Sequence, residues 1–176
     1  MKTTLKNVTL VHVEHAGKEN NFGSYSIQIE VDAKSYLSAC KLAIENQLAY
    51  YDKVSKALRP AALRALQDQK QWLTLSHATE VNAERIQLNG GAGSPIIMVD
   101  KAGRVCKNVG NGSIADVIVD IYFCDYSGVS IAHKIPKTTS PQAFVRVTQL
   151  NEYKADSIGF DINDAPAEST DEVSFC

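Results

Sequence analysis

The stretch YSIQIEVD, residues 25 to 32, decides the fold of this 176-residue chain. Tyr25, Ile27, Ile29 and Val31 alternate with polar residues, as expected for a strand with one buried face. After Asp32, a good N-cap residue, apolar side chains instead recur every three or four positions over residues 37–58. The sequence therefore predicts a strand that leads directly into a long amphipathic helix.

The segments on either side of this stretch extend the pattern. Residues 5–13 alternate imperfectly and predict a strand that pairs with residues 25–32 through a long polar loop. Arg59-Pro60 should end or kink the helix, and residues 61–69 can form a second, short helix. We expect a further strand over residues 71–79, and then a polar connection with a glycine-rich loop at residues 89–95.

The remaining strands lie in the second half of the chain. Residues 96–105 predict a tight hairpin around a turn at residues 100–103, and residues 108–113 predict a second turn. Strands follow over residues 114–133 and 144–150. Six or seven short strands with one helical insertion and no βαβ repeat indicate a mainly β barrel or sandwich.

Charge divides the chain into a basic body and an acidic tail. Residues 1–150 carry 17 Lys and Arg against 13 Asp and Glu, whereas residues 151–176 carry seven acids and one lysine. We expect a domain over residues 1–153, with its helical insertion at residues 33–69, and a disordered tail over residues 154–176. The cysteines lack metal-ligand spacing, and the sequence shows neither a signal peptide nor a membrane span. These features predict a soluble cytosolic protein.

Known catalytic and cofactor motifs are missing from the sequence. The glycine-rich loop lacks the GK[ST] signature and following helix of a P-loop, so a flexible connector is the better interpretation. His12 and His15 fall on opposite faces of a strand, and no cysteine or carboxylate cluster completes a metal site. No nucleophile motif is present, and we expect neither a cofactor nor catalysis.

Aromatic and basic side chains suggest a different chemistry. Bases stack on aromatic rings and phosphates attract Lys and Arg, which together bind single strands. At least half of the aromatics should nevertheless belong to the core, and exposed lysines are normal on any surface. The candidate stacking and phosphate-binding residues are Trp72, Tyr122, Tyr126, Lys101, Arg104, Lys107, Lys134 and Lys137.

The order of these elements resembles the phage-encoded single-stranded DNA-binding proteins of the T-seven type. The strand, helix and proline break of residues 27–60 come first, and residues 99–104 and 109–113 follow. The alternating strand ending at residues 122–126 and the segment VRVTQL at residues 145–150 complete the likeness. The acidic tail adds to this likeness, because the tail of that family ends in an aromatic residue. Phe175 corresponds to that residue here, although this chain ends in Cys176.

The resemblance implies an OB-fold, which is a five-stranded Greek-key barrel with an inserted helix. It implies a non-catalytic protein that coats single-stranded DNA in phage replication, recombination or repair, in the cytoplasm of the bacterial host. Asp171, Glu172 and Phe175 of the tail would compete for the DNA groove and dock replication proteins such as a polymerase or a primase-helicase. The resemblance also allows a homodimer.

Two other interpretations remain at this point. The chain could be a protein-interaction β-domain that captures a host or phage factor through the exposed side of the helix at residues 37–58 and the tail. It could also be a hydrolase with an unrecognised site, which no motif supports. A solubilising role is the alternative for the tail.

Overall fold

The computed structural model describes residues 2–124, 128–136 and 145–152. Within them the strands are β1 (Lys2–His12), β2 (Tyr25–Asp32), β3 (Thr79–Glu80), β4 (Arg85–Ala92), β5 (Met98–Val99), β6 (Ile114–Cys124), β7 (Ser130–Lys134) and β8 (Val145–Gln149). The helices are α1 (Ala33–Lys53), α2 (Pro60–Gln67) and α3 (Trp72–Leu75), with a 3-10 turn at Gln69–Gln71. In this part of the chain, no helix is long and apolar enough to span a membrane.

Five strands close into a barrel in the order β1, β2, β4, β7, β6 and back to β1. All neighbours are antiparallel except β4 and β7, which run parallel where Gly91 lies opposite Lys134. A closed five-stranded Greek-key barrel is the OB architecture. The fold class expected from the sequence is therefore confirmed.

The alternation in β2 fills the barrel interior as predicted. Ile27, Ile29 and Val31 are almost completely buried, and they lie beside Ile86 and Leu88 of β4 in the same core. Strand β6 alternates in the same way over its whole length. Burial of these branched side chains provides the main stabilisation of the barrel.

Helix α1 begins where the periodicity changes, because the Asp32 carboxylate accepts a hydrogen bond of 2.7 Å from the Ser35 amide. Its buried face includes Tyr36, Cys40 and Ile44 and packs on β1, β2 and β6. The helix ends at Lys53, earlier than the apolar spacing suggests, and the backbone then turns at Ser55 with φ +53°. The short second helix is confirmed as α2.

The strand predicted over residues 71–79 is wrong, since this segment is mostly helical. The Asp68 carboxylate accepts a 3.0 Å hydrogen bond from the Lys70 amide and starts the 3-10 turn that leads into α3. The Ser76 amide then donates to the Trp72 carbonyl. Because Trp72 packs into the core as part of a helical turn, its apolar neighbours do not need to alternate.

The connector predicted at residues 89–95 is also wrong at its start, because β4 continues through Ala92. Two of its glycines, Gly90 and Gly91, are strand residues. Gly90 faces the interior, where an added Cβ would lie 3.2 Å from Cδ1 of Ile135. The alternation of this strand is concealed because the inward residue after Ile86 and Leu88 is Gly90. The missed element is therefore a central strand of the barrel.

The hairpin after β5 is confirmed. Val99 bridges to Val105, and Gly103 has φ +80°, which glycine adopts without strain. Strand β8 pairs with the first half of β6 and with β5, which places this hairpin beside the barrel. The second predicted turn contains Gly112, with φ +86°.

Candidate nucleic-acid interface

The outer face of β2 and β4 is an open polar surface. Directly opposite residues of an antiparallel pair point to the same side of the sheet. The outward pairs are Ser26 with Gly91, Gln28 with Asn89, and Glu30 with Gln87. These strands are the second and third of the barrel, and in OB-folds that face binds oligonucleotides together with the adjoining loops.

The polar side chains on this face are held in place by one another. The Gln87 side-chain amide donates a hydrogen bond to the Gln28 side-chain oxygen. Arg85 donates 3.0 Å hydrogen bonds to the Thr9 hydroxyl and the Glu30 carbonyl, and its Nε lies 3.6 Å from the Glu30 carboxylate. The charges of Arg85 and Glu30 therefore offset each other at one end of the face.

Small residues make the other end of the face flat and accessible. A Cβ added to Gly91 would meet no atom within 4 Å. Gly91 lies opposite Ser26 on one side and Lys134 on the other. The Lys134 ammonium lies 5.2 Å from the centroid of the Tyr122 ring, which is a cation–π contact. A flat strip is thus bordered by one aromatic ring and one positive charge.

The loop between β1 and β2, residues 13–24, presents an aromatic side chain next to this face. Asn20 organises the loop tip, because its side-chain oxygen accepts from the amides of Phe22 (2.9 Å) and Ser24 (3.2 Å). Gly23 supplies the turn with φ +69°. Phe22 is 92% exposed at this tip. A ring so exposed on a hydrogen-bonded loop is available for stacking.

The hairpin after β5 carries three exposed basic side chains around a groove of about 580 Å³. They are Lys101, Arg104 and Lys107. The Asp100 carboxylate fixes the turn by accepting from the Ala102 and Arg104 amides and from Arg104 Nε at 2.8 Å. The Arg104 amide, together with the other donors, lowers the pKa of Asp100. Asp100 is therefore ionised at neutral pH and partly neutralises Arg104.

The structure places the sequence-predicted residues in different environments. Tyr122 and Lys134 lie together beside the β2–β4 face, and Lys101, Arg104 and Lys107 lie together on the hairpin. Trp72 is only 4% exposed, and its indole Nε1 donates a 3.0 Å hydrogen bond to the Leu66 carbonyl, so neither ring face is open. Tyr126, Lys137, Asp171, Glu172 and Phe175 lie outside the described residues.

Several residues of the face were not selected from the sequence. Gln28 of β2 and Gln87, Asn89 and Gly91 of β4 are uncharged and match no known binding motif. Only recognition of β4 as a strand could have placed the last three opposite β2. Phe22, in the polar loop before β2, is also missing from the stacking candidates selected from the sequence. Its isolation between polar residues was the available signal.

The described residues offer no sign of metal or thiol chemistry. They contain no group of three His, Cys, Asp or Glu that could hold a metal ion. Burial raises the pKa of the Cys40 thiol to about 11, and burial also raises the pKa of Cys106. Both thiols are therefore weak nucleophiles at neutral pH.

The barrel order and its open face define this chain as an OB-fold domain. Among solved structures, it is similar to the single-stranded DNA-binding protein of bacteriophage Enc34 in complex with single-stranded DNA. That match has a TM-score of 0.53 and 11% identity, and it covers 86% of this chain and 88% of the Enc34 chain. A C-terminal truncation of the same phage protein also gives a TM-score of 0.53, with 10% identity over 87% of this chain and 88% of that one.

A weaker similarity connects the chain to gp2.5, a single-stranded DNA-binding protein encoded by bacteriophage T7. Its TM-score is 0.46 with 11% identity, covering 89% of this chain and 96% of gp2.5. No family model matches the sequence, and no curated protein matches it significantly. The expected likeness to phage single-stranded DNA-binding proteins is confirmed at the level of the fold.

Proposed function

We propose that this chain binds single-stranded DNA without catalysis and without marked sequence preference. The observation that carries the proposal is the flat strip around Gly91 on the outer face of β2 and β4, bordered by Tyr122 and Lys134. The Enc34 protein, whose fold is similar to that of this chain, has been solved in complex with single-stranded DNA. Both point to an extended, unpaired strand as the ligand.

The residues around the face divide into two roles. Phe22 and Tyr122 offer ring faces on which bases stack, at about 1–3 kcal/mol per base. Lys134 offers a positive charge to the phosphates, with release of their counterions. The side-chain amides of Gln28, Gln87 and Asn89 can donate hydrogen bonds to any base edge or accept them from it. They therefore favour binding without sequence preference. Lys101, Arg104 and Lys107 extend the positive surface.

The remaining parts of the proposal concern protein partners and the cellular process in which the protein acts. The tail residues Asp171, Glu172 and Phe175 would compete with DNA for the basic surface and dock phage replication proteins. The supporting feature is the contrast between an acidic tail and a basic body. Tyr126 and Lys137 follow β6 and β7 closely and would extend the binding surface. The protein would act in replication, recombination or repair in the cytoplasm of the bacterial host.

A substitution on the flat strip tests the site. Gly91→Gln should be tolerated by the fold, because space is open above Gly91, but its side chain would obstruct the strand. We expect about ten-fold weaker binding of fluorescent oligo-dT in an anisotropy titration, equivalent to about 1.4 kcal/mol. Thr4→Gln is the control, since Thr4 is exposed on β1 where it pairs with β6 instead of β2. Equal affinity of both variants and the wild-type protein would place the ligand elsewhere.

A further inference from the structure

A second groove, apolar in character, lies where loop 13–24 meets the segments on either side of β5. It encloses about 610 Å³, which is in the size range of ligand pockets. Its apolar walls are Val13, Ala16, Ile96, Ile97, Val105 and Val109. Val105 is 65% exposed, and Ile97 is also exposed. Large apolar side chains gathered in an open groove indicate a surface that a ligand covers.

Positive charge lies next to this groove. Val105 and Cys106 line both the apolar groove and the neighbouring groove that contains Lys101, Arg104 and Lys107. The carboxylate in the apolar lining, Glu14, lies 3.3 Å from Nδ1 of His12. An apolar slot beside a strip of cations matches a nucleotide, which joins a flat base to an anionic phosphate.

Loop 13–24 connects this groove to the β2–β4 face. The His15 carbonyl accepts a 3.1 Å hydrogen bond from the amide of Ser26, which lies on the face. The next carbonyl, that of Ala16, accepts a 2.7 Å hydrogen bond from the amide of Ile96, a groove residue. Two consecutive residues of the loop therefore join the two surfaces, and a bound strand need cross only this loop to reach both.

We infer that the DNA strand bound on the β2–β4 face continues over loop 13–24, so that bases enter the groove at Val105 and Ile97. Its phosphates lie on Lys101 and Lys107 of the hairpin. This inference rests on the proposed function and extends it, since it assigns the hairpin lysines to a second segment of the same strand. A hydrophobic peptide is the competing occupant, and the experiments distinguish it from DNA.

Cys106 provides a direct probe because it lines the groove and is partly exposed. In the full chain with Cys124→Ser and Cys176→Ser, Cys40 is buried, so iodoacetamide at mildly alkaline pH reports chiefly on Cys106. The ligand is oligo-dT of about 20 nucleotides, which is longer than the roughly 4–16 nucleotides that one OB-fold binds. It is added until anisotropy shows that binding is saturated. We expect alkylation of Cys106 to fall to a small fraction of its rate without DNA.

The outcomes separate the inference from the proposed function. Saturated binding with unchanged alkylation overturns the inference, leaves the β2–β4 site intact and leaves a peptide as the alternative occupant of the groove. Absence of any binding overturns both. Protection by DNA supports the inference, and the following variant shows whether bases cause it.

Val105→Ser removes an apolar wall without changing charge. We expect about 5- to 10-fold weaker binding of oligo-dT, as expected for the partial loss of one base contact. Binding of an abasic oligonucleotide of equal length should not change, because it has no base to place in the groove. Leu42→Ser on α1 is the control, since Leu42 is an exposed aliphatic residue outside both grooves. An equal loss on both oligonucleotides would contradict the placement of bases at Val105.

Discussion

At the scale of single residues, the aromatic side chains divide by environment more than by type. Trp72 joins the core and satisfies its indole N–H at Leu66, whereas Phe22 is held in solvent by a hydrogen-bonded turn. The sequence predicts that at least half of the aromatics are core residues, but it does not indicate which ones. For Trp72, the answer depends on whether the residue belongs to a strand or to a helical turn, because these two conformations place its ring differently.

The tryptophan gives a direct spectroscopic prediction. Trp72 is the single tryptophan of the chain, and its ring is enclosed by protein. Its emission should therefore be blue-shifted in the folded protein and should not be quenched when oligo-dT saturates the binding site. The measurement is intrinsic fluorescence during a titration that anisotropy follows in parallel. Strong quenching that tracks binding would instead place a base on the indole, as the sequence suggested.

A second residue-scale prediction concerns pH. His133 is partly buried, and its Nδ1 lies 2.7 Å from the Asn89 carbonyl. Because a carbonyl oxygen only accepts, Nδ1 carries the proton of the neutral ring. Burial lowers the pKa of His133 below its ordinary value of 6.5. Between the folded-state and unfolded-state pKa values, the unfolded chain binds more protons. Stability is therefore full above about pH 6.5 and declines as pH falls towards the folded-state value.

Urea unfolding at pH 7.5 and pH 5 measures this contribution. We expect His133→Gln, which does not titrate, to lose less stability between these two pH values than the wild-type protein loses. The quantity compared is the change in unfolding free energy between the two pH values, in the variant and in the wild-type protein. A destabilisation that is equal at both pH values does not affect it. The same pH dependence in both proteins would show that other groups control the acid response.

At the scale of elements, prediction succeeds where periodicity is strong. Strand β2 alternates strictly, and α1 begins at an Asp32 cap, so both were predictable from residues 25–58. Strand β4 was not, because after Ile86 and Leu88 its next inward residue is Gly90. Only the packing of Ile135 against Gly90 explains that glycine, and this contact joins residues far apart in the chain.

Loop 13–24 gives the prediction at this scale. Phe22→Ala should weaken oligo-dT binding by about 5- to 100-fold, as expected for loss of a stacked ring, without lowering stability. Asn20→Ala should produce a smaller loss, because the ring remains but the hydrogen bonds that hold its turn are removed. Anisotropy titrations and thermal unfolding provide both measurements. An Asn20→Ala effect larger than that of Phe22→Ala would show that the loop contributes something other than the ring.

At the scale of the whole molecule, the sequence predicts the mainly β barrel with its inserted helix. The structure shows which strands pair to close that barrel. The parallel contact of Gly91 with Lys134 brings the end of β4 to β7, and thereby Tyr122 and Lys134 to the candidate face. The sequence could select these two residues by type, but it could not place Lys134 opposite Gly91 or bring Tyr122 beside it. Apart from Glu30, which is paired with Arg85, the face itself is built from glycine and neutral polar residues, which leave no compositional signal.

The central claim is that the barrel face binds unpaired strands, and one titration tests it most directly. Fluorescence anisotropy compares labelled oligo-dT with a duplex of equal length, at low and moderate salt, for the full chain and for a chain truncated after Lys154. We predict that the truncated chain prefers the single strand to the duplex and loses affinity as salt rises, and that the full chain binds less well. If neither chain binds the single strand, or if both prefer the duplex, the account is contradicted.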